Sequence, residues 1–280
     1  MTMIDGVVRE AAARLAAAGV ASPRHDAEEL AAHVLGVSRS RLLLLDRLPA
    51  AAADRYAALV EQRAARVPLQ HLTGVAGFRR LELAVGPGVF VPRPETEVLV
   101  DWALAQLHPG ALVVDLCAGS GAVALAVADE APGVTVHALE LEEHALAWAR
   151  RNVEVTGLPV ILHRGDVADR AVLADLAGTV DLVTANPPYI PVGAGVEREV
   201  AEHDPPAALW GGQDGLATVR AVERAAHRLL RPGGQVGVEH AELQGQSVPA
   251  VFARAGWVDV ADHPDLAGRP RYTTARRSGR

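Results

Sequence analysis

The chain has 280 residues, half of them apolar, which is enough for a packed core in one large domain or two smaller ones and excludes disorder as the main state. Its 27 basic residues, all arginine, against 34 acidic ones leave a net charge of −7, which argues against a general polyanion binder. Four Trp, three Tyr and three Phe are too few to furnish stacking platforms for single-stranded nucleic acid, and a lone cysteine with scattered histidines gives neither an internal disulfide nor zinc-ligand spacing, so no metal is expected.

The start, MTMIDGVVREAAARLAAAGV, carries Asp5, Arg9, Glu10 and Arg14 where a secretory signal needs an unbroken apolar run, and reads as a helix of a soluble, cytoplasmic protein. Apolar runs elsewhere are broken by charge or glycine before they reach membrane-spanning length, so no membrane partner is expected. In SPRHDAEELAAHVLG, Ser22 is a plausible N-cap, Pro23 suits the first helical position and Gly36 can end the helix. Ser38 is expected to cap the next helix, and a further helix over residues 50–66 sets Tyr56, Leu59, Val60 and Ala64 on one face. Residues 1–70 thus form a small helical bundle without groups suited to chemistry: a binding module, or a structural cover for the rest.

Glycine punctuation and short alternating runs mark residues 71–94 as a hairpin linker. It leads into PRPETEVLVDWALAQL, where prolines stiffen the approach and Glu95 and Glu97 enter the first turn of a helix. From residue 95 to 280, apolar runs alternate with helix-period segments, the pattern of an α/β domain with a mostly parallel sheet covered on both faces. Ligands of such sheets bind beyond the carboxyl ends of the strands.

The first strand ends in Asp115 and a glycine turn, LCAGSGAVAL, where Gly119 and Gly121 let backbone approach a ligand before a helix from Ser120. Glu140, last residue of the second strand, is placed to accept both hydroxyls of a ribose. This pairing narrows the ligand only to an adenosine-containing cofactor. Asp166, ending the third strand, either meets the adenine amino group or caps the next helix. After the fourth strand, VDLVTA, come Asn186, Pro187, Pro188 and Tyr189. The prolines hold this corner extended, so the Asn186 amide carbonyl and the Pro187 carbonyl can grip both hydrogens of a planar NH2 group while Tyr189 packs on its flat face. Such a nitrogen is a poor nucleophile because its lone pair is delocalised. Two acceptors let it pyramidalise toward a sulfonium methyl, and its proton leaves afterwards to water.

These stretches, with PLQHLTGVAGFRRLELAVGPGVFVPRPETE, ALWGGQDGL, RPGGQVGVEHAELQG and DLAGRPRY, resemble over nearly the whole chain the HemK/PrmC family of protein-(glutamine-N5) methyltransferases that modify class-one peptide chain release factors. PRPETE with NPPY is the most specific pairing. The resemblance implies a Rossmann-like class I S-adenosylmethionine-dependent methyltransferase sheet over 95–280 and a substrate-recognition role for 1–70. It implies S-adenosyl-L-methionine as methyl donor, S-adenosyl-L-homocysteine as product, and the GGQ glutamine of a release factor as acceptor. By position, Cys117, Ala118, Gly119, Ser120 and Gly121 become the cofactor loop, Glu140 the ribose acid, Val167 an adenine-side contact, and Asn186 to Tyr189 the glutamine site; Asp166 and Asn186 are also expected among the cofactor contacts. Departures are Cys117 and Ala118 for the usual Gly and Thr, Glu140 for Asp, and HDPPAAL for YEPxxAL. The chain's own GGQ, Gly211 to Gln213, reads as chance in a glycine-rich turn.

Two other functions compete: an adenine-N6 nucleic-acid methyltransferase, which shares the NPPY corner, and a non-catalytic release-factor adapter. The acidic balance disfavours DNA binding, and the intact Asn186 disfavours the adapter. Arginines 269, 271, 276, 277 and 280 are read as a solvated tail, and a monomer is expected.

Overall fold

The alanine- and leucine-rich N-terminal segments fold as helices α1 (Ile4–Ala17), α2 (Pro23–Leu35) and α3 (Ala50–Ala64) in a computed structural model that describes residues 2–42 and 44–279. Their apolar faces meet in a core built on Leu15, Ala27, Leu30, Tyr56 and Val60. Pro23 opens α2 as expected, but Ser22 makes no side-chain capping bond, and only its carbonyl is used, by the Asp26 N–H. The helix after Ser38 is short, Arg39–Leu42.

The described residues divide into two compact units, and the first, running to Val75, also takes in Val196–His203. Arg63, 6% exposed, explains that detour. It bonds Asp26 Oδ2 of α2 and Glu199 Oε2 of the short helix Arg198–His203, each at 2.7 Å. A buried guanidinium needs such acceptors around it.

The second unit comprises Ala76–Gly195 and Asp204–Arg280. Strands β1 (Val75–Phe78) and β2 (Leu81–Ala84) form the expected hairpin. After a 3-10 turn at Pro94–Thr96 come α4 (Glu97–Gln106), β3 (Leu112–Leu116), α5 (Ala122–Glu130), β4 (Thr135–Glu140), α6 (Glu143–Thr156), β5 (Val160–Arg164) and β6 (Val180–Ala185). Then follow α7 (Ala217–Leu229), β7 (Leu230–Glu239), α8 (Ser247–Arg254), β8 (Val258–Pro264) and β9 (Pro270–Arg276). The seven-stranded sheet has the order β8-β9-β7-β6-β3-β4-β5. The strands from β7 to β5 are parallel, and β9 and β8 are antiparallel.

Successive side chains of a strand go to opposite faces, so β3 feeds two cores. Val114 packs with Val183, Val222 and Phe252, Val113 with Leu125, Val136 and Leu182. That two-sided burial, worth about 1.5–3 kcal/mol per large apolar side chain, is why the parallel strands read as continuous apolar runs. The C-terminal arginines are not a tail. Residues 270–276 are β9, inside the sheet, with Arg271 paired to Asp265 at 3.1 Å, Arg276 to Asp259 at 2.6 Å, and Arg277 bonded to the Leu230 carbonyl; Arg280 lies outside the described residues.

From β3 the chain winds outward through β4 and β5, then returns to β6 on the other side of β3. The reversal opens a crevice at the carboxyl ends of β3 and β6, where Leu116 is in register with Ala185. The glycine turn and the NPPY corner therefore leave the sheet side by side. Glu140 ends β4, in register next to β3 on one flank, and Glu239 ends β7, where Val238 is in register with Ala185.

Candidate active site

On the β3 side, the turn after Leu116 is tight and left-handed in places: Gly119 has φ 59°, and a Cβ built there would meet nothing within 4 Å. Bare backbone facing open space is what close approach of a ligand requires. The Glu140 carboxylate, 9% exposed, closes this turn by accepting the Gly119 N–H at 2.7 Å and the Glu142 N–H at 2.9 Å. Burial pushes its pKa up, and the N–H groups of Glu142, Gly119 and Leu141 oppose that shift. Asp115 is buried beneath, bonded through Oδ1 to the Thr184 hydroxyl at 2.8 Å, with its Oδ2 lacking a hydrogen-bond partner among the described residues. Burial pushes this acid up to about 7. An open glycine turn beside a buried acid at the end of the neighbouring strand fits a polar, nucleoside-bearing cofactor.

The helix after the turn starts at Ala122, because Ser120 and Gly121 remain in the turn, Gly121 with φ 83°. Cys117 also has positive φ, 61°, a conformation costing an ordinary residue about 1–2 kcal/mol and glycine far less. Its thiol is pushed well up by burial and by the carboxylates of Glu140, Asp115 and Asp166, so it stays protonated. Iodoacetamide will therefore alkylate Cys117 more slowly than a free cysteine at pH 8, with a rate that keeps rising with pH beyond the range in which a free cysteine levels off; reaction at the free-thiol rate would contradict this environment. Asp166 stands two residues beyond the end of β5, not at its last residue. It is exposed and accepts the Ala168 N–H at 2.8 Å, the capping contact. Val167, half-buried, lines a cavity of about 450 Å³ whose other walls include Ala221, Glu223 and Arg228; of the expected site residues this cavity holds Val167 alone.

On the β6 side, Asn186 follows the strand directly and its Nδ2 lies 3.2 Å from Thr96 Oγ1, so the amide oxygen is the acceptor on the opposite side of the group. Tyr189 donates its hydroxyl to Glu239 Oε1 at 3.4 Å. Burial and the Glu239 charge push the phenol up, and it remains un-ionised. The corner is clamped from behind by Gln244, whose Nε2 donates to the Tyr189 carbonyl at 3.0 Å. It is clamped in front by Ile190 N–H to the Leu209 carbonyl at 2.9 Å and Gly211 N–H to the Ile190 carbonyl at 2.8 Å. A Cβ at Gly211 would sit 2.7 Å from the Pro188 carbonyl oxygen, so the chain's GGQ has a packing reason: its first glycine lets this segment lie against the prolines. In HDPPAAL, Asp204 reaches Arg93 of PRPETE at 3.1 Å.

Thr96, Glu239 and Gln244 escaped the sequence reading as members of the site. Thr96 is inside PRPETE and Glu239 and Gln244 are inside RPGGQVGVEHAELQG, so the motifs were visible and only the contacts were not.

A family model described as the PrmC N-terminal domain matches residues 7–74, and one described as the methyltransferase small domain matches residues 82–203. The release factor glutamine methyltransferase of Streptomyces coelicolor is 54% identical, with the alignment covering 99% of this chain and 99% of that protein. That of Mycolicibacterium smegmatis is 49% identical over 100% of both. Among solved structures, the T. thermophilus 16S rRNA N2 G1207 methyltransferase RsmC in complex with AdoMet and guanosine superposes with a TM-score of 0.53 at 20% identity, covering 72% of this chain and 49% of that chain. That likeness is one of fold.

Proposed function

The chain belongs to the family of release factor glutamine methyltransferases, on a class I methyltransferase sheet, and from that premise we propose that the NPPY corner is the grip by which it methylates the side-chain N5 of the GGQ glutamine of class-one release factors. The observation that carries this reading is the Asn186 amide, tethered to Thr96 through its nitrogen and set beside the open glycine turn at the point where the winding reverses.

The methyl donor is S-adenosyl-L-methionine, which supplies an electrophilic methyl on a sulfonium and leaves as S-adenosyl-L-homocysteine. In this reading Cys117 to Gly121 hold it by backbone, with Gly119 giving the closest approach. Glu140 accepts the ribose hydroxyls, and Asp166 and Val167 border the adenine. Asn186 Oδ1 and the Pro187 carbonyl accept the two carboxamide N–H groups, Pro188 keeps the corner extended, and Tyr189 walls the flat face. Holding both hydrogens localises the lone pair on the nitrogen, and the same carbonyl dipoles meet the positive charge that develops there. A strong base is not needed in advance, because the proton becomes acidic only once the new bond forms.

Removing the Glu140 charge removes a charge-assisted acceptor from the ribose. Glu140→Gln is expected to weaken S-adenosylmethionine binding by about 10–100-fold, read by calorimetry; an unchanged Kd would place the ribose elsewhere. The helical unit is the proposed recognition element for the release factor. Among the described residues no helix is long and apolar enough to cross a membrane, and a substrate that works in translation makes the cytoplasm the proposed location and a monomer the proposed state.

The test is incubation with labelled S-adenosylmethionine and either a purified release factor or adenine-containing DNA, followed by mapping of the label. Label on the GGQ glutamine is expected. Label on adenine would favour the nucleic-acid reading, and no transfer with the cofactor bound would favour the adapter.

A further inference from the structure

Three stretches of chain meet on one buried side-chain amide. Gln244, 7% exposed, accepts the Ala241 N–H through Oε1 at 3.0 Å and donates through Nε2 to the Tyr189 carbonyl at 3.0 Å and the Gly215 carbonyl at 3.3 Å. All three partners are main-chain groups, each of which can only donate or only accept, so the sense of the amide is fixed. Turned over, it would set its oxygen against two carbonyls and its NH2 against an N–H. Ala241 follows β7, Tyr189 closes the corner after β6, and Gly215 leads into α7. The three come too close together for a larger residue where they meet: Gly215 has φ 71°, and a Cβ there would strike the Tyr189 carbonyl oxygen and lie 2.8 Å from Gln244 Nε2. Two carbonyl oxygens converging on one buried point repel unless a donor joins them, and without it both are left unpaired away from water.

The consequence falls on Tyr189. Gln244 holds its main chain at the carbonyl, and its hydroxyl lies 3.4 Å from Glu239 Oε1, so the residue is fixed at both ends. Resting on the acceptor site assigned above, we propose that Gln244 is a positioning residue for the acceptor: by gathering the Tyr189 and Gly215 carbonyls on one NH2 while Ala241 anchors its oxygen, it fixes where the Tyr189 ring stands against the flat face of the carboxamide. Its partners are Tyr189, Gly215 and Ala241, not Asn186 or the Pro187 carbonyl, so it acts through Tyr189. Without it the main chain after Pro188 can settle in more than one position, the ring leaves the face of the carboxamide, and the nitrogen spends less of its time aligned with the methyl. The cofactor turn is closed by Glu140 and not by this amide, so cofactor binding is expected to stand. The EHAELQG and NPPY motifs are thereby joined through residues 55 positions apart.

Gln244→Met keeps the length and removes the amide, and Gln244→Glu keeps the shape and, ionised, meets the two carbonyls with a negative charge. Each is made in the full chain and again together with Tyr189→Ala, and kcat and KM for a release factor and the S-adenosylmethionine Kd are measured. Both substitutions are expected to lower kcat by roughly 10–100-fold, with the cofactor Kd within about twofold of the parent. In the Tyr189→Ala background, whose own kcat is reduced, they are expected to cost less than about threefold more, because the ring they displace is gone. Parental kcat in both variants, a loss as large without the Tyr189 ring as with it, or a cofactor Kd that weakens in step with kcat, as a general loosening of the fold would cause, would overturn the proposal. If the Gln244 variants fail to fold, Gly215→Ala decides alone, since its methyl would part the same contact from the other side. The same pattern is expected from it, and parental kcat there would contradict the proposal. Failure of the acceptor assignment itself looks different: the unsubstituted protein would not methylate a release factor.

Discussion

Asn186→Ala is expected to lower kcat/KM for a release factor by about 10²–10³-fold, the usual consequence of removing one preorganised polar group from a transition state. The carboxamide nitrogen would keep one acceptor, from Pro187, and lose the other, so it would be free to rotate and its lone pair to delocalise. The turn that carries Gly119 and Glu140 comes from other strands, so the cofactor Kd should stay within about threefold of the parent. Single-turnover methyl transfer and calorimetry separate the two effects. A variant that binds cofactor normally and turns over at the parental rate would remove Asn186 from the mechanism. The loss should also be insensitive to added release factor, because the defect lies in alignment and not in capture.

Arg63→Ala is expected to destabilise the helical unit by about 3–5 kcal/mol, since it leaves the buried Asp26 carboxylate without its cation and Glu199 with Arg66 alone, at 3.4 Å. The two units can be followed separately in one urea titration. Trp102, Trp148, Trp210 and Trp257 all belong to the second unit, so their fluorescence reports it. The far-UV transition of α1 to α3 should move to lower urea while the tryptophan transition holds its place. A shift worth under about 1 kcal/mol would mean that the guanidinium is not the anchor its geometry implies. Replacing Arg63 and Asp26 together with apolar residues should restore much of the loss, because the buried Asp26 charge goes with its partner and Glu199 keeps Arg66.

What could be read from the sequence was whatever strand ends and turn residues announce locally. Glu140 is the last residue of an alternating run followed by an acidic helix start, and it does end β4. Asn186 stands between an apolar run and two prolines, which cannot continue a ladder, and it does follow β6. The Thr96–Asn186 and Tyr189–Glu239 contacts could not be read in the same way. They depend on strand order, which sets the end of β7 beside that of β6, and on where the turn before α4 lies over both. The arginines of PRYTTAR concealed β9, since charge in a run argues for solvent; Asp259 and Asp265 neutralise two of them at the sheet's edge hairpin. Asp166 was placed at a strand end because GD closes the run, yet β5 stops at Arg164 and the acid caps the turn. Ser120 resembled a helix start, but the left-handed Gly121 delays α5 to Ala122.

A crystal structure with S-adenosylhomocysteine and a release factor bound is the most direct measurement of the grip. The expected result has the GGQ glutamine nitrogen within hydrogen-bonding distance of both Asn186 Oδ1 and the Pro187 carbonyl, facing the sulfur, with Asn186 Nδ2 still on Thr96. Asn186 turned away from the glutamine, or the glutamine seated outside the crevice between β3 and β6, would contradict it.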